Sequence, residues 1–146
     1  MGIGGTEQVI RQIVENADSE LFQHEILCID GFIGPLGEEL QKKGIYIEST
    51  QRKSGIDLAL AGFVRNYIKS RKVDVIHCHQ YTPYFYGVLG ALFTKVNVIF
   101  TEHGRFYPDQ HHFKRRFINP LLAMRTDHIT AISRSTADAL AEYEYF

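Results

Sequence analysis

Short β-branched and aromatic runs alternate with stretches of helical periodicity along this chain, and that alternation limits the fold more than any other feature. The apolar runs fall at about residues 22–29, 45–47, 73–79, 96–100 and 128–132, each bounded by glycine, aspartate or a polar cluster, as strands are. Between them, Val9, Ile10, Ile13, Val14 and Ala17 share one helical face. Gly34-Pro35 opens a short helix through Leu40 that Gly44 stops. Ile56, Leu60, Phe63, Val64, Tyr67 and Ile68 make a helical stripe, and so do Tyr81, Tyr84, Phe85, Val88, Leu89, Leu92 and Phe93. Two more helices are expected over residues 113–124 and around Ala137, Leu140 and Ala141. Elements in this order make βαβ units, so the predicted class is α/β, a Rossmann-like parallel sheet with helices on both faces. A chain of this class should open on a strand. This one opens on a glycine turn, so its first strand is expected to be missing, which would expose two apolar strand edges.

Local signals add detail. Thr6 is expected to cap the first helix and Ser133 the last, while Gly87, Gly90 and Ala91 should let the helix after residue 80 approach its neighbours closely. Val96, Val98, Ile99 and Phe100 read as a strand covered on both faces. Glu102, His103 and Arg105 should emerge at its carboxyl end, where open α/β sheets bind ligands. The segment 113–124 carries Lys114, Arg115 and Arg116 among aromatics and should bend at Pro120. It reads as an ordinary amphipathic helix with a solvated face or as a contact with an anionic membrane surface.

The totals bound the function. At 146 residues with 45% hydrophobic content, one domain with a true core is expected. Sixteen basic against seventeen acidic residues give a net charge of -1, which offers no field for nucleic acid and leaves any anion site local. Cys28 and Cys78 each sit inside an apolar run, as reduced buried thiols of a cytoplasmic protein do. Met1-Gly2-Ile3-Gly4-Gly5 has neither the basic region nor the apolar core of a signal peptide. The charge-free run 80–94 is rich in Tyr and Gly and falls short of the roughly 20 apolar residues that span a bilayer.

Few motifs carry chemistry. Gly2-Ile3-Gly4-Gly5-Thr6 leads into a helix, where free N–H groups and the dipole favour a phosphate, yet a tight turn would need small residues too. A dinucleotide fingerprint would want glycine where Glu7 stands and a ribose carboxylate clearer than Asp30, and no Gly-Lys-Ser or Gly-Lys-Thr loop occurs. His77 and His79 share a strand face and could reach a metal, but no acidic or thiol partner stands at a recognisable spacing. His111-His112 reads as solvated loop, since adjacent residues point apart. No metal site is therefore expected. Gly4-Gly5, His79-Gln80, His103-Gly104 and Ser133-Arg134 all fall at expected strand ends, where one crevice would gather them.

At these residues the sequence resembles the N-terminal domain of GT-B glycosyltransferases of family 4, retaining enzymes that use nucleotide sugars. The likeness rests on Gly4-Gly5-Thr6-Glu7, on Asp74-Val75-Ile76-His77-Cys78-His79, on Thr101-Glu102-His103-Gly104 and on Thr130-Ala131-Ile132-Ser133-Arg134-Ser135. It implies a nucleotide-sugar donor, a lipid-linked or saccharide acceptor, no metal or other cofactor, and a cytoplasmic enzyme in peripheral contact with the inner membrane surface. It also implies that Gly4 and Gly5 approach the donor diphosphate and that His103 is the catalytic residue at the transferred sugar. His79, Gly104 and Arg105 would line the acceptor side of the cleft. The family's C-terminal donor-binding domain, with its paired glutamates, is not in residues 1–146, so the isolated chain is expected to be inactive. Two other readings stay open: a stand-alone Rossmann-like module that binds a ligand or partner without catalysis, and a related fold used for sugar-nucleotide epimerisation.

Overall fold

The computed structural model describes residues 1–104 and 113–146. They form two compact units, Met1–Asp57 and Leu58–Phe146. In the first, α1 (Gly5–Asn16) and β1 (Glu25–Cys28) are followed by α2 (Gly34–Lys42) and β2 (Tyr46–Ser49). The two strands pair in parallel, Ile26 opposite Ile47, so α2 is their crossover. Alternate strand residues face inward, and Ile26, Cys28 and Ile47 join Met1 and Leu40 in a core flanked by Ile10, Val14, Ile33 and Ile45.

The second unit runs α3 (Leu58–Arg71), β3 (Val75–His79), α4 (Tyr81–Ala91), β4 (Asn97–Glu102), α5 (Arg115–Ala123), β5 (His128–Ala131) and α6 (Arg134–Tyr143). Its strands lie in the order β3-β4-β5, all parallel, with Cys78 opposite Phe100 and Phe100 opposite Ile129. The α/β class and the parallel pairing are as expected from the sequence. The strands nonetheless form two sheets, of two and three strands, because periodicity gives strand and direction but not the partner.

Helix α4 covers the Cys78 and Phe100 face. Tyr84 stacks on Phe100 at 4.1 Å between ring centroids. The expected close approaches are realised: a Cβ on Gly87 would run into Cys78 Sγ, and one on Gly90 would stand 2.5 Å from Val64 Cγ1 and 3.1 Å from the Arg65 backbone nitrogen of α3. Behind this layer lies a buried polar network. Asn119, fully buried, donates to the Glu144 carbonyl at 2.7 Å and to its carboxylate at 3.2 Å, and accepts from the Tyr81 hydroxyl at 2.6 Å. Arg115 pairs with the same carboxylate and lies over the Tyr81 ring. Burial with partners on every side is the condition under which such groups are tolerated.

Several boundaries differ from expectation. The Asp18 carbonyl closes a turn onto the Leu21 and Phe22 N–H groups, so β1 starts at Glu25. The Val73 N–H is spent on the Ile68 carbonyl at the end of α3, which delays β3 to Val75. Phe93 lies beyond α4 with φ 61 and is 94% exposed. The first helix is capped by Gly4, with Thr6 already inside it. Ser133 does cap α6, its Oγ accepting the Thr136 N–H at 3.1 Å. Strand β4 is fully buried at Val98 and Phe100 but only half-buried at Ile99 and Thr101, so it is covered on one face, not two. In α5, with Pro120 inside it, the large apolar residues Phe117 and Leu121 are exposed and Leu122 is buried with Asn119.

Overpacking a tight contact costs about 1–3 kcal/mol. The Gly90→Ala variant is therefore expected to lose stability of that order, read as a lower urea midpoint with an unchanged slope, whereas Gly62→Ala, with open space at its Cβ, loses none from packing.

Candidate functional site

Alternation along β3 sends Cys78 into the core and His77 and His79 to the opposite face. Burial pushes the Cys78 thiol up to about 12, which makes it an inert core group. On the other face the register sets Thr101 beside His79 and Thr130 beside Thr101. The His77 ring lies 4.1 Å from that of His79, and His79 Nδ1 is 2.8 Å from His103 Nε2. His77 Nε2 is 2.8 Å from Thr101 Oγ1, and the two threonine hydroxyls are 2.7 Å apart. Three imidazoles and two hydroxyls thus occupy one sheet face near the carboxyl ends of its strands.

The chain leaves β3 through an unusual turn. Gln80 has φ 71 and ψ 162, a region that side-chain-bearing residues enter at a cost of about 1–3 kcal/mol. Its N–H donates to the Thr101 carbonyl at 3.0 Å and its carbonyl accepts from the Tyr84 N–H at 3.2 Å, so both ends of the turn are tied. At the end of β4, Glu102 is buried and its Oε1 accepts the backbone N–H of His103 at 3.0 Å. Of the groups expected to emerge there, Glu102 therefore belongs to the interior, because it is an even member of the alternation that buries Val98 and Phe100. Gly104 follows with φ 109, a conformation that calls for glycine.

His79 and His103 are thus brought together, and Gly104 stands directly after them. Arg105, like His111 and His112, lies outside the described residues. Gly4 and Gly5 belong to the first unit, at the amino end of α1. Gly4 is extended, φ -150 and ψ 170, and a Cβ there would meet only the Glu7 side chain, while one on Gly5 would meet nothing within 4 Å. Gly5 leaves open space at a helix terminus whose N–H groups suit an anion, whereas the Glu7 carboxylate stands against Gly4. From the sequence, Thr101, Thr130 and His77 stand in the motifs of the family resemblance, but none of them is given a role at the site. The period-two signal for a shared face was present, but the strand pairing that supplies their partners was not. Among the described residues no group of three His, Cys, Asp or Glu is arranged to hold a metal ion. His77 Nε2 and His79 Nδ1 are both engaged by protein atoms.

The family model for Glycosyltransferase Family 4 matches residues 3–145. The chain belongs to that family. No curated protein sequence matches it. Among solved structures, a glycosyltransferase from Rickettsia africae ESF-5 is similar over the whole of this chain, with a TM-score of 0.72 and 19% identity. MurG from Acinetobacter baumannii is similar over 92% of it, with a TM-score of 0.64 and 17% identity. These likenesses are of fold, and the family 4 chain spans 38% and 40% of the two proteins. Among its described residues no helix is long and apolar enough to cross a membrane.

Burial pulls the His79 pKa down from 6.5 to about 3, helped by the His77 and His103 rings, and burial lowers that of His77 as well. The folded protein holds His79 neutral where the unfolded chain takes up a proton. Its contribution to stability is therefore complete above about pH 6.5 and falls as pH drops toward 3. Urea melts at pH 7 and pH 5 should show a lower midpoint at pH 5, and the His79→Phe variant should show a smaller difference between the two.

Proposed function

We propose that this chain is the N-terminal, acceptor-side part of a retaining glycosyltransferase that moves a sugar from a nucleotide-sugar donor to a lipid-linked or saccharide acceptor. The observation that carries the reading is the placement of His103 at the carboxyl end of β4, hydrogen-bonded to His79, in a chain matched by the family model over residues 3–145. The reaction breaks the bond between sugar and diphosphate and forms one to an acceptor hydroxyl. It needs the leaving diphosphate and an oxocarbenium-like sugar to be stabilised, which oriented N–H groups and a fixed imidazole do by electrostatics and positioning. In this reading Gly4 and Gly5 lie against the donor diphosphate, His103 meets the transferred sugar, and His79, Gly104 and Arg105 border the acceptor. The reading calls for no metal. A further domain would supply most donor contacts, so the 146 residues alone would not turn over.

A lipid acceptor is favoured by α5 and the residues flanking it. Phe113, Phe117, Leu121 and Met124 recur at the spacing of one helical stripe and are 76%, 59%, 68% and 85% exposed, beside exposed Lys114 and Arg116. An apolar stripe edged by cations suits the surface of an anionic membrane, which supports reading the enzyme as peripheral to the cytoplasmic face.

Two outcomes test these statements. In a transfer assay with a panel of nucleotide sugars, the full-length enzyme is expected to turn over and the isolated chain is not. His103→Ala should cut full-length kcat about 100-fold, and an unchanged kcat in a folded variant would remove His103 from the site. In co-sedimentation with vesicles containing anionic lipid, the chain should bind and the Phe117→Ser/Leu121→Ser variant should bind several-fold less. Equal binding by both would sink the membrane assignment.

A further inference from the structure

Between β1 and α2 the chain makes a turn that is tied down along its length. The Gly31 N–H donates to the Thr50 carbonyl at 3.0 Å and the Arg52 N–H to the Ile29 carbonyl at 2.9 Å, which fastens the turn to the carboxyl end of β2. Asp30 Oδ1 accepts the Phe32 N–H at 3.2 Å, and the Phe32 carbonyl accepts from the Met1 nitrogen at 3.1 Å. Gly31 and Gly34, on either side, have φ 77 and 70, where glycine is favoured.

What this turn holds is an aromatic ring in the open. Ile33 packs against the core of the first unit, but Phe32 is 55% exposed. Its ring is nonetheless placed, since a Cβ on Gly34 would stand 2.7 Å from Phe32 Cε1 and run into the Met1 carbonyl oxygen. A single exposed apolar residue is ordinary on a protein surface. Phe32 differs in being fixed at its N–H, at its carbonyl and at one ring edge, so a ligand that covers it meets little cost of ordering.

The turn also lies where a ligand is expected, beyond the carboxyl ends of β1 and β2. Met1, which bonds to it, is four residues from Gly5 and the open terminus of α1, at most about 14 Å of chain. An anion at that terminus and a ring on Phe32 can therefore belong to one ligand.

We propose that Phe32 is a stacking platform for a sugar ring: the C–H groups of one pyranose face lie on the electron-rich face of the phenyl ring, and the hydroxyls at the rim of the sugar stay in water. The choice of a sugar rests on the transfer reaction proposed above, whereas the fixed, open ring does not.

The test watches that ring. In carbon–proton NMR spectra of the protein with labelled phenylalanine, the Phe32 ring signals, assigned by their absence in Phe32→Leu, should shift on titration with methyl hexopyranosides and stay still with glycerol. Signals that no glycoside moves overturn the proposal, and so do signals that move with a nucleoside alone. In the full-length enzyme, Phe32→Leu should raise the KM of one substrate, donor or acceptor, about 5- to 10-fold, with a smaller effect on kcat and an unchanged Tm, and Phe32→Tyr should restore it. The KM that rises identifies the substrate whose sugar is bound. Both KM values unchanged in a folded Phe32→Leu overturn the platform. Ring shifts with glycosides in a full-length protein that transfers no sugar uphold the platform and overturn the transferase reading.

Discussion

Every second residue along β3 and β4 points the same way, and the second unit depends on that period of two. Ile76, Cys78, Val98 and Phe100 turn to one side, where α4 presses its glycines and Tyr84 against them. His77, His79 and Thr101 turn to the other. A shift of register by one residue would bury the imidazoles and expose the core, so the same apolar burial that stabilises the sheet also fixes which face can do chemistry.

Polar groups are placed on that frame in two contrasting ways. The Tyr81, Asn119, Glu144 and Arg115 network is buried, closed and fully partnered, and it ties α4, α5 and the end of α6 together. A buried ion pair gains little net energy against its desolvation, while removing one partner leaves the other buried and unpaired. The histidine row sits at the edge of burial, its ring nitrogens paired with a threonine hydroxyl and with one another. Strain follows the same division: the Gln80 turn lies between His79 and α4, where a costly backbone conformation is held by hydrogen bonds at both ends.

Much of the framework could be read from the chain. The α/β class, the parallel pairing, the inward cysteines, the Ser133 cap and the glycines of α4 are all local signals, and the structure carries each of them. Membership in Glycosyltransferase Family 4 agrees with the motif order from Gly4 to Ser135. What failed were judgements about surroundings. Strand β4 was expected to be covered on both faces, and Glu102 to emerge with His103. Each depends on what packs against the element, and a residue's own neighbours in sequence do not say.

The sequence by itself determined the elements, their direction and which side chains share a face, because strand and helix periods are local properties of the backbone. Only the tertiary structure decided that His79 bonds to His103, that His77 leans on Thr101 and Thr130, and that α5 keeps an apolar stripe in the open. Hydrogen bonds and burial of that kind join residues 24 or more apart in the chain, and strand register, not spacing, brings them within 3 Å.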